Sequence, residues 1–535
     1  MKKLSMIAAS AAAVLLAVSP AHAQVQEADV TGGKVSGVVA NGIVSFRGIP
    51  FAAPPVGELR WKAPQPLKPW IGVKQATRFG PSCVQDETIA RILGATPEMS
   101  EDCLYLNVWT PAKAASDNLP VMVWIYGGGF VGGQTSVPLY DGTKLAEKGV
   151  VLVSVAYRLG AFGFLAHPEL SRESGKGSGN FGLQDQVASL QWVKANIAKF
   201  GGDPGRVTIF GESAGGIAVS MLAASPAAKG LFQRAISESG GSFGSARYSN
   251  EGGVIVPPLK VAEAAGKAFL DKLGASDMTA ARALSADMIQ KAATPGPAAA
   301  TQFWPVFDGD VLPADQYELY QAKRFNDTTV LIGTNSDEGG LFGPPGMTSL
   351  RFEQMVRAGY GKGADAILAV YPHATDTEAA KAGRDLMRES TFAWHTWAWA
   401  MLQTEKGTGK AYVYYFDHRT PQQPNGAGHG SEIAYVFKNL GGPVLGAAGP
   451  PTAPRPEDIR MSELMSSYWT NFAKTGDPNG PGLPGWPSFS AKDQRVMFFE
   501  TQQSSARPVP NIDQIKALDA YYAWRRGDLK GGRTP

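Results

Sequence analysis

Val207-Thr208-Ile209-Phe210-Gly211-Glu212-Ser213-Ala214-Gly215-Gly216 is the stretch whose reading decides the fold. Val207 to Phe210 has the β-branched and aromatic composition of a strand. Gly216 to Ala224 is small and apolar, like a tightly packed helix. Between them, Gly211-Glu212-Ser213-Ala214-Gly215 fits Gly-x-Ser-x-Gly, a sharp strand-to-helix turn that exposes the serine hydroxyl. Bulky residues two before or two after the serine would clash in so tight a turn, and glycine at both places relieves this. The flanking strand and helix favour this reading over a serine that merely caps a helix.

Working outward, Leu183, Val187, Leu190, Val193 and Ile197 recur every three or four residues, which predicts an amphipathic helix over 183–200. A turn at Gly201 to Gly205 leads from it into the strand, so helix, turn and strand form half of a βαβ unit. Leu119 to Tyr126 and Gly149 to Ala156 are continuous apolar runs, as expected of strands buried on both faces of a parallel sheet. Thr328 to Ile332 and Ala411 to Phe416 are further strand candidates. Residues 30–75 hold short runs broken by Gly and Pro, which predicts turn-rich, antiparallel structure. Around 255–300, Val261, Ala265, Phe269 and Leu273 have helical spacing and suggest cap insertions. Segment 476–487 reads as a loop anchored by Trp486 and Phe489, and the last ten residues as a mobile polar tail.

Composition sets the class. Of 535 residues, 44% are apolar and 18% charged, which suits a soluble protein with a large core. Met1-Lys2-Lys3, an apolar run to Val18 and Ala21-His22-Ala23 have the three parts of a secretory signal peptide, with cleavage expected after Ala23. The apolar run is too short for a stable membrane anchor. The expected product is exported, to periplasm or medium. Losing Lys2 and Lys3 lowers the formal charge from +3 to +1, which leaves no electrostatic footprint for nucleic acid. Cys83 and Cys103 are the only cysteines, and in an exported chain they imply one disulfide.

A serine hydroxyl needs a base, usually histidine held by a carboxylate. His167 precedes a proline, His373 lies in a polar turn, and His395 sits in a Trp-rich helical stretch suited to core packing. His418 ends a strand candidate, where local pairing is the commoner role. His429 lies in Gly426-Ala427-Gly428-His429-Gly430, a loop able to bring an imidazole over the sheet edge. The serine, acid, histidine order of such hydrolases favours His429 over His418. The acid then falls among Asp308, Asp310, Asp337 and Glu338, and chemistry hardly separates Glu338 from Asp337. For the oxyanion, Tyr126-Gly127-Gly128-Gly129-Phe130 follows the first long buried strand. Backbone N–H groups of Gly128 and Gly129, with Ala214, are the expected donors.

These residues resemble the type B carboxylesterase family over nearly all of the mature chain. The resemblance rests on Phe46-Arg47-Gly48-Ile49-Pro50-Phe51-Ala52, Glu101-Asp102-Cys103-Leu104-Tyr105-Leu106-Asn107, Gly182-Leu183-Gln184-Asp185-Gln186 and Phe200-Gly201-Gly202-Asp203-Pro204. It implies an α/β-hydrolase fold, with a large, mostly parallel central sheet flanked by helices. One domain over 24–535 is expected, with helical insertions around 255–300 and 340–410. The family's Asp-Glu-Gly motif falls on Asp337-Glu338-Gly339, which implies Glu338 as the acid. Its His-Gly-x-Glu motif falls on His429 to Glu432, and its first disulfide on Cys83 and Cys103. Glu212 and Ser239 match positions beside the family's reacting groups. The implied activity is cofactor-free hydrolysis of small-molecule carboxylic esters through an acyl group on Ser213.

The chain departs from animal members in its single cysteine pair and the absence of their C-terminal assembly segments. Pocket residues align poorly; Phe303 and Trp304 are candidates for the acyl side, with core packing the equal alternative. An inactive adhesion-type member is the competing reading, against which stands the complete set of serine, acid, histidine and glycines. Gly177-Ser178-Gly179-Asn180-Phe181-Gly182 fits a dinucleotide fingerprint, but polar Glu169 to Lys176 precedes it where a buried strand is required.

Overall fold

The structure is a computed structural model describing residues 24–86, 88, 91, 98–246, 256–293, 303–343, 346–443 and 451–530. The signal-peptide segment 1–23 lies outside the described residues.

Eleven strands form one mixed sheet. They are β1 Val38–Ala40, β2 Ile43–Pro50, β3 Tyr105–Thr110, β4 Leu119–Ile125, β5 Val151–Val155, β6 Gly202–Glu212, β7 Arg234–Glu238, β8 Thr329–Asn335, β9 Ala411–Asp417, β10 Arg495–Glu500 and β11 Ser505–Pro508. Their order across the sheet is β11-β10-β9-β8-β7-β6-β4-β5-β3-β2-β1. From β10 across to β5 every pairing is parallel, and the strands outside that block join antiparallel. The two apolar runs are thus central strands, and every residue from Val121 to Ile125 is completely buried. Chain direction across the sheet reverses between β5 and β6, with β4 between them. The loops leaving the carboxyl ends of β4 and β6 therefore meet at a topological switch point, where open α/β sheets bind ligands.

Helices cover the sheet: Phe181–Asn196 before β6, Ala214–Ala224 after it, and Pro456–Thr475 before β10. The helix expected over 183–200 is α-helical to Asn196 and tightens into a 3₁₀ turn over Ile197–Phe200. It is buried on more than the predicted stripe, because Asp185, Gln186 and Ser189 are inside too. Asp185 is affordable there because Arg158 meets it at 2.7 and 2.8 Å. The turn expected at Gly201 to Gly205 is absorbed into β6, which starts at Gly202 and breaks register before Val207.

The N-terminal segment also holds a small sheet in which Glu27–Val30 pairs antiparallel with Gly33–Ser36, and the latter parallel with Val73–Gln75. Cys83 and Cys103 are joined in a buried disulfide. The 255–300 region contains helices Leu259–Lys272, Met278–Ala283 and Ala286–Ala293. Trp486 and Phe489 are buried, as their loop requires. Of the ten-residue tail expected to be mobile, residues 526–530 instead continue a helix, Ile512–Lys530, whose Ile515, Leu518 and Tyr522 are buried against the protein, and residues 531–535 lie outside the described residues. Among the described residues no helix is long and apolar enough to cross a membrane.

Packing at the elbow admits no side chain. A Cβ on Gly215 would lie 2.0 Å from the Ile125 carbonyl oxygen, and one on Gly211 2.5 Å from the same atom. Gly215→Ala is expected to cost about 3 kcal/mol or more in urea unfolding, since a backbone atom and not a flexible side chain must move. A midpoint equal to wild type would contradict this packing.

Candidate active site

Strand β6 ends at Glu212, and Ser213 turns the chain into the helix Ala214–Ala224 with φ 55° and ψ −125°. Such a positive φ is strained for a residue with a Cβ. The Ser213 N–H donates to the Glu238 carbonyl at the end of β7 at 2.9 Å, and the Ile217 N–H donates to the Ser213 carbonyl at 2.8 Å. Ser213 is partly exposed, while Glu212 and Ala214 on either side are buried. The expected elbow is present.

The four candidate acids are in different places. Asp308 caps its own turn, accepting from the N–H groups of Asp310 and Leu312. Asp310 pairs with Lys176 at the surface at 3.0 Å. Asp337 faces Arg384 at 3.6 Å. Glu338 is fully buried, and its Oε2 accepts from His429 Nδ1 at 2.5 Å. Its other oxygen accepts from the Asn335 N–H at 2.7 Å and from the Ser239 hydroxyl. Those bonds fix the carboxylate's orientation towards the imidazole.

The loop carrying His429 is laced to the acid loop. The Ala427 N–H donates to Ser336 Oγ at 2.8 Å, the Asp337 N–H to the Ala427 carbonyl at 2.9 Å, and Asn335 Nδ2 to the Gly428 carbonyl at 2.8 Å. The remaining described histidines are occupied elsewhere. His418 Nε2 meets Asp458 at 2.6 Å, a partner forty residues away and not the local one expected. His395 Nδ1 accepts from the Phe243 N–H at 2.9 Å inside the core. His167 Nδ1 accepts from the Glu169 N–H at 3.2 Å, and His373 contacts the Tyr371 carbonyl.

His429 Nε2 lies 3.1 Å from Glu212 Oε1. Among the described residues Ser213 Oγ makes no hydrogen bond, and it is Glu212, the residue before it, that meets the imidazole. Burial lifts the Glu212 carboxyl to about 7. At His429 burial disfavours the imidazolium, but Glu212 first and Glu338 second outweigh it and raise the pKa to about 9. The two groups titrate as a pair: a neutral Glu212 removes the largest attraction for a charged imidazole.

Tyr126 to Phe130 leaves the end of β4 beside the elbow. A Cβ on Gly127 would lie 2.7 Å from the Glu212 carbonyl and 3.0 Å from Ser213 Cβ. Gly128 and Gly129 have φ of 108° and 63°. Among the described residues their N–H groups and that of Ala214, at the first turn of its helix, donate to no backbone carbonyl. Trp304 packs edge-on against Phe130 at 4.9 Å, next to this loop, whereas Phe303 is core, against Phe269.

Several site residues were not singled out from sequence. Glu238 is buried with Oε1 accepting from Trp469 Nε1 at 2.8 Å, and burial lifts its carboxyl to about 8. Glu432 accepts from Asn335 Nδ2, and burial drives its carboxyl well above the usual range. Both stood in quoted motifs, Glu238-Ser239-Gly240 and His429 to Glu432, so a signal existed. Phe392 stacks on the His429 ring at 4.8 Å and Phe342 meets it in a T-shaped contact at 5.0 Å. Neither had a sequence signal, because aromatic residues in helical stretches are mostly core.

Residues 20–517 match the Carboxylesterase family. The fumonisin B1 esterase of Sphingopyxis macrogoltabida is 38% identical over 88% of this chain and 86% of its own length. The para-nitrobenzyl esterase of Bacillus subtilis is 37% identical over 88% of this chain and 94% of its own. A solved PNB esterase structure superposes with a TM-score of 0.80 at 34% identity, covering 92% of this chain and 99% of that one. With the α/β-hydrolase sheet and the elbow at its switch point, this extent of likeness makes the chain a member of the carboxylesterase family, an enzyme that hydrolyses carboxylic esters.

Proposed function

We propose that ester hydrolysis runs through an acyl-enzyme on Ser213, with His429 as general base, Glu338 as the carboxylate that orients it, and Gly128, Gly129 and Ala214 as oxyanion donors. The observation that carries this reading is the 2.5 Å bond between His429 Nδ1 and buried Glu338 beside the strained serine. Glu338 holds the neutral tautomer with its proton on Nδ1, so that Nε2, the nitrogen facing Glu212, is the one that accepts a proton.

In the proposed cycle Ser213 Oγ attacks the ester carbonyl while its proton passes to His429 Nε2. The Nε2 to Oγ hydrogen bond forms as the ester enters, a tightening common when unliganded sites are filled. The tetrahedral oxyanion accepts from the three backbone N–H groups. Collapse breaks the carbonyl carbon–alkoxide bond, and the imidazolium returns its proton to the departing alcohol. Water then loses a proton to the same nitrogen and attacks the acyl carbon. Breakdown releases the carboxylic acid and restores Ser213.

Ser213→Ala is expected to lower kcat for p-nitrophenyl butyrate by at least about 10³-fold, with the far-ultraviolet circular dichroism of wild type. Activity within tenfold of wild type would overturn the nucleophile. A base acts only when neutral, so activity is lost as pH falls through its raised pKa. In Glu212→Gln the imidazole loses its largest attraction, and the acidic limb of kcat/KM is expected to move to lower pH. A limb that stays or moves upward would contradict the coupling.

The N-terminal pattern supports export as a further part of this reading. The full chain expressed in a Gram-negative host is expected outside the cytoplasm with Gln24 as its first residue; a cytosolic product keeping Met1 would oppose it.

A further inference from the structure

One continuous helical rod passes the candidate acid and base together. It is α-helical over Asp376–Arg388, widens into a π-helical turn over Glu389–Ala393, and resumes as an α-helix over Trp394–Lys406. Three of its residues, four apart, touch the site. At Arg384 its backbone comes so close to Gly339 that a Cβ there would lie 2.1 Å from the Arg384 carbonyl oxygen. Arg388 Nη1 donates to the Ser336 carbonyl at 2.8 Å, two residues before Glu338. Phe392 lays its ring on the His429 imidazole, with centroids 4.8 Å apart and planes 23° from parallel.

Geometry explains the wide turn. At about 100° per residue, positions four apart on an α-helix drift by roughly 40° around the axis at each step. Arg384, Arg388 and Phe392 would then fan away from a single face. A turn closed by i→i+5 bonds takes more residues per revolution and removes part of that drift. The turn is also locked from within. Glu389, 1% exposed, pairs with Arg388 and accepts from Tyr371 Oη at 2.5 Å and Asn511 Nδ2 at 2.6 Å. Phe392 itself is buried, at 3% exposure, so its ring has little freedom to leave the imidazole.

We propose that the π-helical turn makes Phe392 a positioning residue for the base, holding the His429 ring plane while the same rod braces the loop of Glu338. This rests on the reading of His429 as base. Phe392 touches no reacting atom; it acts by denying the imidazole other ring orientations. The half-exposed Phe342 meets the same ring in a T-shaped contact at 5.0 Å.

The test compares Phe392→Leu and Phe392→Met, which keep apolar bulk but lose the flat face, with Phe392→Tyr, which keeps it. Leu and Met are expected to lower kcat for p-nitrophenyl butyrate about 10- to 100-fold with KM within about threefold, and Tyr to restore most of kcat. The low-field proton resonance of the imidazole Nδ1–H, sharp in wild type and Phe392→Tyr, is expected to broaden in Phe392→Met. Wild-type kcat in a folded Leu or Met variant, or an equal loss in Phe392→Tyr, would overturn the proposal. His429→Ala separates the two failures: activity surviving it removes the base assignment, whereas activity lost in it but unchanged in Phe392→Leu removes only the positioning role.

Discussion

The constraint on which the rest depends is the close approach of the Ile125 carbonyl oxygen to the elbow. That oxygen ends the central strand β4, and it lies where both Gly211 and Gly215 would carry a Cβ. Only a chain without side chains at both places can pass from β6 into the helix Ala214–Ala224 beneath it. The passage leaves Ser213 at φ 55°, a strain held because its N–H is tied to Glu238 and its carbonyl to Ile217. Three strand ends thereby converge. β4 contributes the glycine loop, β6 the serine, and β7 the Ser239 that donates to Glu338.

A second constraint is electrostatic. Glu212, Glu238, Glu338 and Glu432 are all buried and repel one another, and two of them, Glu212 and Glu338, flank the His429 imidazole. Four carboxylates in so small a volume cannot all be ionised, because each pays desolvation and repels the others. Burial accordingly lifts the carboxyls of Glu212, Glu238 and Glu432. Glu338 differs in its partners: it alone accepts from a hydroxyl, a backbone N–H and the imidazole together. That set of partners, and not motif matching alone, is what supports Glu338 as the orienting acid of the proposed triad. It also makes Glu212 the adjustable charge beside Nε2.

Much of the fold was legible because its signals are local. The runs at Leu119 to Tyr126 and Gly149 to Ala156 read as buried strands because parallel central strands have no solvent face to interrupt them. The elbow was legible because its glycines answer a steric demand within five residues. Pairings distant in sequence were not. From chemistry alone Asp337 and Glu338 were inseparable, since adjacent residues differ only in which way the turn sends them. His418 had a partner at Asp458 that spacing could not reveal. The C-terminal helix was missed because its polar composition hides the few residues, Ile515, Leu518 and Tyr522, that dock it. The π-helical turn escaped because it alters helical phase without altering composition.

The central claim is that one serine, and no other residue, carries the acyl group. Its most direct measurement is peptide mapping by mass spectrometry after reaction with a p-nitrophenyl alkylphosphonate, which traps the attacking oxygen as a stable ester. The account predicts one adduct per chain, on Ser213 in the peptide containing Gly211-Glu212-Ser213-Ala214-Gly215, with activity lost in proportion to labelling. An adduct on another residue, or full inactivation with Ser213 unmodified, would contradict it.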